Sequence, residues 1–197
     1  MKTFIIGITI IALSASACNS GSNASDKNTK IADTTKPSST SANAGNNAPD
    51  SKVDASMKEM VAQYLQIKNA LVNDNGMEAA SAGNAYVESM SKMDKNSLAA
   101  EKKKKWDDLA DDAKEMAEHI GKNGDKIAHQ REHFDMLSKD MYDMVKTFGA
   151  GQTLYNDFCP MYNNKVGATW LSETKEIKNP YLGKSMPTCG SVKEEIK

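Results

Sequence analysis

Four stretches of the chain carry apolar or small residues at alternating spacings of three and four, and this pattern constrains the fold most strongly. Such spacing places these side chains on one face of an α-helix. Short polar or glycine-containing segments, such as residues 73–76, separate the stretches. Helices of about 20 residues joined by short connections pack as an up-and-down antiparallel bundle, so the sequence predicts a four-helix bundle. The positions are Val53, Met57, Met60, Tyr64, Ile67 and Leu71; Ala79, Gly83, Tyr86, Met90 and Met93; Trp106, Leu109, Ala113, Met116 and Ile120; and Ile127, Phe134, Leu137, Met141, Val145 and Phe148.

Sequence signals also predict where the helices begin and end. Asn96 and Ser97 are candidate N-caps of the third helix, and Gly121 is its candidate stop. Asp125 is the candidate cap of the fourth helix, and Gly149 follows its last apolar position. The second helix is rich in alanine, serine and glycine, and this composition predicts close contact with a neighbouring helix.

The helical pattern ends at Gln152, and proline and glycine residues interrupt the chain from there to about residue 192. Aromatic residues, including Trp170 and Tyr181, are concentrated in the same segment. A disordered tail would not carry so many aromatic side chains, so we expect an ordered, irregular cap on the bundle. A short β-hairpin around residues 168–171 could form part of it. The predicted fold class is therefore all-α, with bundle and cap together spanning residues 53–197.

The first 17 residues have the features of a secretory signal: a positive charge at Lys2, an apolar run and small residues before Cys18. The apolar run is too short to cross a bilayer, which takes about 20 residues. Ala-Ser-Ala before Cys18 is similar to the lipobox of bacterial lipoproteins and predicts lipidation of Cys18. The alternative is ordinary cleavage after Ala17, which leaves a free thiol. Residues 19–52 are dominated by small polar residues and predict a disordered linker, so we expect a lipid-anchored domain in the cell envelope, facing the periplasm.

Charge and motif content exclude several classes of function. The chain has 25 Lys and Arg against 26 Asp and Glu, and this balance argues against a nucleic-acid partner. Its one basic run, residues 102–105, is followed at once by Asp107 and Asp108 and is typical of a solvated helix surface. The sequence contains no nucleophile motif, phosphate-binding glycine loop or convincing carboxylate pair. We therefore predict that the protein is not an enzyme.

Cysteine and methionine occur together at both ends of the cap: Cys159 with Met161, and Met186 with Cys189. Thiolates and thioethers are soft donors that select Cu(I) over hard ions, so these four residues are candidate ligands of one copper ion. The competing interpretation is a disulfide between Cys159 and Cys189, because two cysteines in an exported protein usually pair. In that case we expect no metal. The residues alone leave both interpretations open.

The three histidines all fall in the second half of the bundle. His129 and His133 are four residues apart in the fourth helix, so both project from one face and could chelate a divalent ion. We take His133 as a candidate nitrogen donor to the metal, in addition to the sulfur ligands. His129 and His119 are further candidates.

The cap carries a set of motifs: Cys-Pro-Met at 159–161, Gly-Ala-Thr-Trp-Leu-Ser at 167–172, Glu-Ile-Lys-Asn-Pro-Tyr at 176–181 and Met-Pro-Thr-Cys-Gly at 186–190. This segment closely resembles the C-terminal signature of a family of exported bacterial domains of unknown function. Gln-Arg-Glu-His-Phe at 130–134 also fits the pattern of that family.

Members of the family occur as lipoproteins and as fusions to the periplasmic adaptor subunits of heavy-metal efflux pumps. The resemblance therefore implies copper or a similar ion, with an efflux adaptor as a partner. We expect a membrane-tethered periplasmic protein that binds a soft metal, copper above all, and buffers it or delivers it to an efflux system. The alternative is a disulfide-stapled helical lipoprotein that binds another protein and no metal.

Overall fold

The computed structural model describes residues 48–197, which contain four long helices. Each helix packs against the next and the last packs against the first, so the predicted helical bundle is confirmed. The predicted signal segment and Cys18 lie outside the described residues. Within residues 48–197, no helix combines the length and the apolar character needed to cross a membrane. The helices are α1 (Ala48–Val72), which begins before the predicted domain start at Val53, α2 (Gly76–Ser91), α3 (Ala100–Lys122) and α4 (Ile127–Phe148).

The helix starts differ from the predicted ones. Asn96 and Ser97 belong to a short 3₁₀ turn, in which the Asp94 side chain accepts a hydrogen bond from the Asn96 backbone N–H. They do not cap α3, which begins at Ala100. Asp125 does not cap α4 either, because Lys126 is the residue at the N-cap position and it makes no side-chain capping bond. Both starts therefore depend on packing of the helix more than on a polar cap.

Close packing of α2 on α3 explains the small residues of α2, as the sequence predicts. A Cβ atom added to Gly83 would lie 2.9 Å from the carbonyl oxygen of Ala117 in α3. Gly121 serves the same contact from the other side, because a side chain there would collide with Asn84. The prediction that Gly121 ends α3 is therefore wrong, and the helix continues to Lys122.

The cap contains a three-stranded antiparallel sheet, so the predicted all-α fold class is wrong. The central strand is β1 (Leu154–Cys159), with β2 (Ala168–Ser172) on one side and β3 (Ser191–Ile196) on the other. The predicted hairpin around residues 168–171 corresponds to β2, whose partner is β1. The sequence did not predict β3, because its lysine and glutamates resemble a solvated tail. They lie on an edge strand, which extends the cap past its predicted end at residue 192.

Buried aromatic rings attach the cap to the bundle. Tyr64 of α1 stacks on Phe134 of α4 with ring centroids 5.1 Å apart, and Phe134 contacts Tyr181 of the cap at 5.7 Å. Tyr181 also packs edge-on against Trp170 of β2 at 5.9 Å. The Leu171 backbone N–H donates a hydrogen bond to the Tyr64 hydroxyl at 3.0 Å. Bundle and cap therefore share one hydrophobic core.

Two ionisable side chains in this core, Lys68 and Asp157, are fully buried. Lys68 of α1 is fully buried and pairs with Glu173, which follows β2, at 2.7 Å. Asp157 of β1 is also fully buried, and neither of its carboxylate oxygens has a hydrogen-bond partner among the described residues. Burial raises the pKa of Asp157 to about 7, against the attraction of Lys68. The folded protein therefore holds a proton on Asp157 between about pH 4 and about pH 7, where an exposed aspartate is ionised.

Replacement of Asp157 by asparagine should remove a pH-dependent loss of stability. In the unfolded chain this carboxyl group has a pKa of about 3.9, so it releases a proton that the folded protein keeps. The free energy of unfolding of the wild type therefore falls as the pH rises from about 4 to about 7. The free energy of unfolding of Asp157→Asn, relative to that of the wild type, should therefore be about 2–3 kcal/mol higher at pH 8 than at pH 5. Urea unfolding of both proteins at the two pH values measures this difference. An equal effect at both pH values would contradict a buried, protonated Asp157.

Candidate metal-binding residues

The structure brings the two cysteines of the cap together. Cys159 ends β1, and Cys189 precedes β3. Because Phe158 pairs with Ser191 across the sheet, the two cysteines become neighbours. Their Sγ atoms lie 3.0 Å apart, as two free thiols. Cys159 is fully buried and Cys189 is partly exposed, so one side of the pair is open to solvent.

The backbones of the two methionines lie beside this thiol pair. The Cys189 backbone N–H donates a hydrogen bond to the Met186 carbonyl at 3.2 Å, and the Met161 backbone lies close enough to the Cys189 thiol to affect its pKa. The hydrogen bond with Cys159 and the burial of the thiol raise the pKa of Cys189, while the Met161 N–H opposes that rise. The side chains of Met161 and Met186 are 46% and 43% exposed. All four predicted sulfur residues therefore occupy one neighbourhood, with the thiols inside and the thioethers outside.

Asn179, from the Asn-Pro-Tyr motif, fixes the segment that carries Cys189. Its side-chain N–H donates a hydrogen bond to the Cys189 carbonyl at 2.6 Å, and its side-chain oxygen accepts from the backbone N–H groups of Tyr181 and Leu182. Its backbone N–H donates to the Pro187 carbonyl at 2.9 Å. Asn179 is fully buried, so these bonds form away from water. This role was not predicted from the sequence, although asparagine side chains often hydrogen-bond to the backbone two residues on in such turns.

The structure places His133 in a different group of side chains. Its Nε2 atom lies 3.0 Å from Nε2 of His129, and its ring stacks on His119 at 4.3 Å. Its Nδ1 atom lies 3.3 Å from the sulfur of Met116. These residues connect α3 with α4, whereas the cysteines lie on the sheet. The sequence signal for His119 was its place in the last turn of α3, which a short connection joins to the start of α4.

Comparison with known proteins adds one finding. Residues 60–153 match the family model described as "Protein of unknown function (DUF3347)". The match confirms a domain of unknown function. It contains all three histidines and ends just before β1, so Cys159 and Cys189 lie beyond it. No curated protein and no solved structure matches the chain. The lipid anchor and the link to copper efflux stay predictions.

Replacement of Asn179 by aspartate should loosen the Cys189 segment selectively. The carboxylate keeps the acceptor for Tyr181 and Leu182 but loses the donor to the Cys189 carbonyl. Loss of one buried hydrogen bond is worth about 1–3 kcal/mol, so we expect the alkylation rate of Cys189 under reducing conditions to rise about tenfold or more. Mass spectrometry after timed iodoacetamide treatment measures this rate. Asn96→Asp, at an exposed position, is the control, and equal rates in the two variants would refute a clamping role.

Proposed function

We propose that this protein binds a soft metal ion, copper as Cu(I), at the sulfur group of the cap. The ligands are the thiolates of Cys159 and Cys189, with the thioethers of Met161 and Met186 available to complete the coordination. The protein is anchored to a membrane through lipid on Cys18 and faces the periplasm. There it buffers the ion or delivers it to a heavy-metal efflux adaptor.

The contact between the two thiols is the observation that carries this proposal. Cys159 and Cys189 lie 30 positions apart in the chain, yet their sulfur atoms are 3.0 Å apart. The strand pairing of β1 with β3 and the hydrogen bonds of Asn179 hold both segments in place before any ion arrives. Ligands that are already positioned lose little conformational entropy on binding, which favours affinity. Thiolates also select Cu(I) over hard ions such as Mg²⁺ or Ca²⁺.

The methionines suit exchange of the ion with a partner. Met161 and Met186 are held at the backbone beside Cys189, while their side chains are nearly half exposed. A methionine side chain is unbranched and rotates about three bonds, so it can turn toward the thiols or away from them. A partner that approaches from solvent therefore meets the thioethers first. This arrangement supports capture and transfer of copper more than permanent storage.

The same thiol contact also favours a second candidate function. In an oxidising compartment the two thiols can join as a disulfide, which would close a loop of about 30 residues and stabilise the fold by about 3–4 kcal/mol. The protein would then be a stapled helical module that binds another protein through its cap, without metal.

A thiol count on purified mature protein separates the two candidates. Under anaerobic, native conditions the metal-binding proposal expects Cys159 and Cys189 to titrate as free thiols that Cu(I) protects from alkylation. The disulfide alternative expects neither residue to react until a reductant is added. The second result would exclude the two thiols as ligands in the protein as isolated.

Substitution of the proposed ligands should weaken Cu(I) binding in a graded way. We expect Cys159→Ser to lower the Cu(I) affinity at least about 100-fold, because it removes a charged soft ligand, and Met186→Leu to lower it about tenfold. Competition titration against a chromogenic Cu(I) chelator measures both. Met77→Leu, at an exposed position on α2, is the matched control and should leave the affinity unchanged. Equal affinities in all four proteins would rule out the sulfur site.

A further inference from the structure

Three imidazole rings meet between the end of α3 and the first half of α4. His119 belongs to α3, and His129 and His133 belong to α4. One ring nitrogen from each residue lies within 4.8 Å of the other two. The closest pair is Nε2 of His129 and Nε2 of His133, at 3.0 Å. Two nitrogens on one tetrahedral zinc ion lie about 3.4 Å apart, given Zn–N distances of about 2.1 Å, so only a small adjustment separates this pair from a metal-bound one.

The other nitrogen of each α4 ring faces a group that can only accept a hydrogen bond. Nδ1 of His129 lies 3.3 Å from a carboxylate oxygen of Glu132, and Nδ1 of His133 lies 3.3 Å from the thioether sulfur of Met116. These acceptors favour the tautomer with the hydrogen on Nδ1, which keeps the lone pair of each ring on Nε2 for a metal ion. Metal-binding histidines are oriented in the same way, by an outer acceptor on the nitrogen that does not bind the metal.

The two facing nitrogens can share a hydrogen or hold a cation between them. They lie 3.0 Å apart, and a hydrogen on either Nε2 would bridge them. A cation of suitable size takes the place of that hydrogen and accepts both lone pairs. Burial lowers the pKa of His133, and His119 and His129 lower it further, which favours the neutral ring that a metal ion needs.

The surroundings of the rings also favour a cation. The carboxylate of Glu132 lies beside His129, and that of Glu115 lies 3.8 Å from Nε2 of His119. The side chains of His119 and His129 are 44% and 40% exposed, so an ion can reach the rings from solvent. His119 stacks on His133 and needs a rotation of its ring to direct a nitrogen at the same point.

We propose that His119, His129 and His133 form a second metal site, which binds a borderline divalent ion through three imidazole nitrogens. Imidazole suits Zn²⁺, Cu²⁺ and Ni²⁺, and Cu²⁺ binds nitrogen ligands most tightly among the divalent first-row ions. The fourth position is open to water or to a donor from a partner. This site stands independently of the sulfur site, with which it shares no ligand. The domain therefore offers sulfur to Cu(I) and nitrogen to a divalent ion at separate places.

Zn²⁺ is the first probe, because it is not reduced by thiols. In the full chain carrying Cys159→Ser and Cys189→Ser, we expect calorimetry to show one equivalent of Zn²⁺ bound. His129→Gln and His133→Gln, added singly to that background, should each weaken the binding at least about tenfold. Met136→Leu, at an exposed position of α4 three residues after His133, is the matched control and should leave it unchanged. An unchanged Zn²⁺ affinity in both histidine variants overturns the proposal.

A second measurement uses the wild type and does not depend on the folding of the cysteine variant. The chain contains only three histidines, so nitrogen-detected NMR resolves three imidazoles. At saturating Zn²⁺ the Nε2 signals of His129 and His133 should shift, while their Nδ1 atoms stay protonated. Unchanged imidazole signals at saturating Zn²⁺ overturn the proposal.

The two proposals fail in distinguishable ways. Loss of Cu(I) binding only in Cys159→Ser, together with loss of Zn²⁺ binding only in the histidine variants, supports two sites. If His133→Gln and Cys159→Ser each abolish the same single equivalent of metal, one shared site exists and the second site is refuted. If Cys159→Ser and Met186→Leu bind Cu(I) as tightly as the wild type while the histidines still bind Zn²⁺, the sulfur proposal fails and the imidazole site stands.

Discussion

Contact between the Tyr181 ring and the bundle is the interaction on which the rest of the cap depends. Tyr181 is buried against Phe134 and Trp170, and the burial of such a ring contributes several kcal/mol to stability, roughly 2–3 from its area alone. Its backbone N–H donates to Asn179, which in turn holds the carbonyl of Cys189. The position of the second thiol is therefore set by an aromatic ring in the shared core.

Arg131 strengthens the same attachment from α4. Its guanidinium donates to the carbonyl of Pro180, next to Tyr181, and to the carbonyl of Leu71 at the end of α1. It also pairs with Asp74, and this pairing lowers the pKa of that carboxyl group. One side chain thus joins a helix, the connection between α1 and α2, and the cap. Because the fork of donors on an arginine is planar and rigid, these bonds fix orientation as well as contact.

The helices could be predicted from the sequence because their apolar periodicity is a local signal, and all four are present. The sheet could not, because β3 has one buried aliphatic residue, Ile196, among charged neighbours, and its backbone pairs with a strand more than 30 residues earlier. The prediction that Cys159 and Cys189 lie together rested on their residue types and on a family resemblance. His133 was predicted to join the sulfur residues, and the structure groups it with His119 and His129 instead, because helical spacing gives the face of a side chain but not the neighbour that this face meets. His119 became visible as its neighbour only once α3 and α4 were packed.

The two groups of candidate ligands depend on different parts of the fold. The imidazoles lie on α3 and α4, which are within the matched domain and pack directly against each other. The thiols depend on strand pairing, on Asn179 and on the docking of Tyr181, all at the C-terminal end. Local opening of the cap would therefore separate Cys159 from Cys189 and leave the histidines in place. Opening returns the buried charge of Lys68 and the protonated carboxyl group of Asp157 to water, so it costs less than the opening of an apolar core of the same size. In the proposed metal-bound protein, such a local motion would release the ion from sulfur while the helices that carry the imidazoles stay folded.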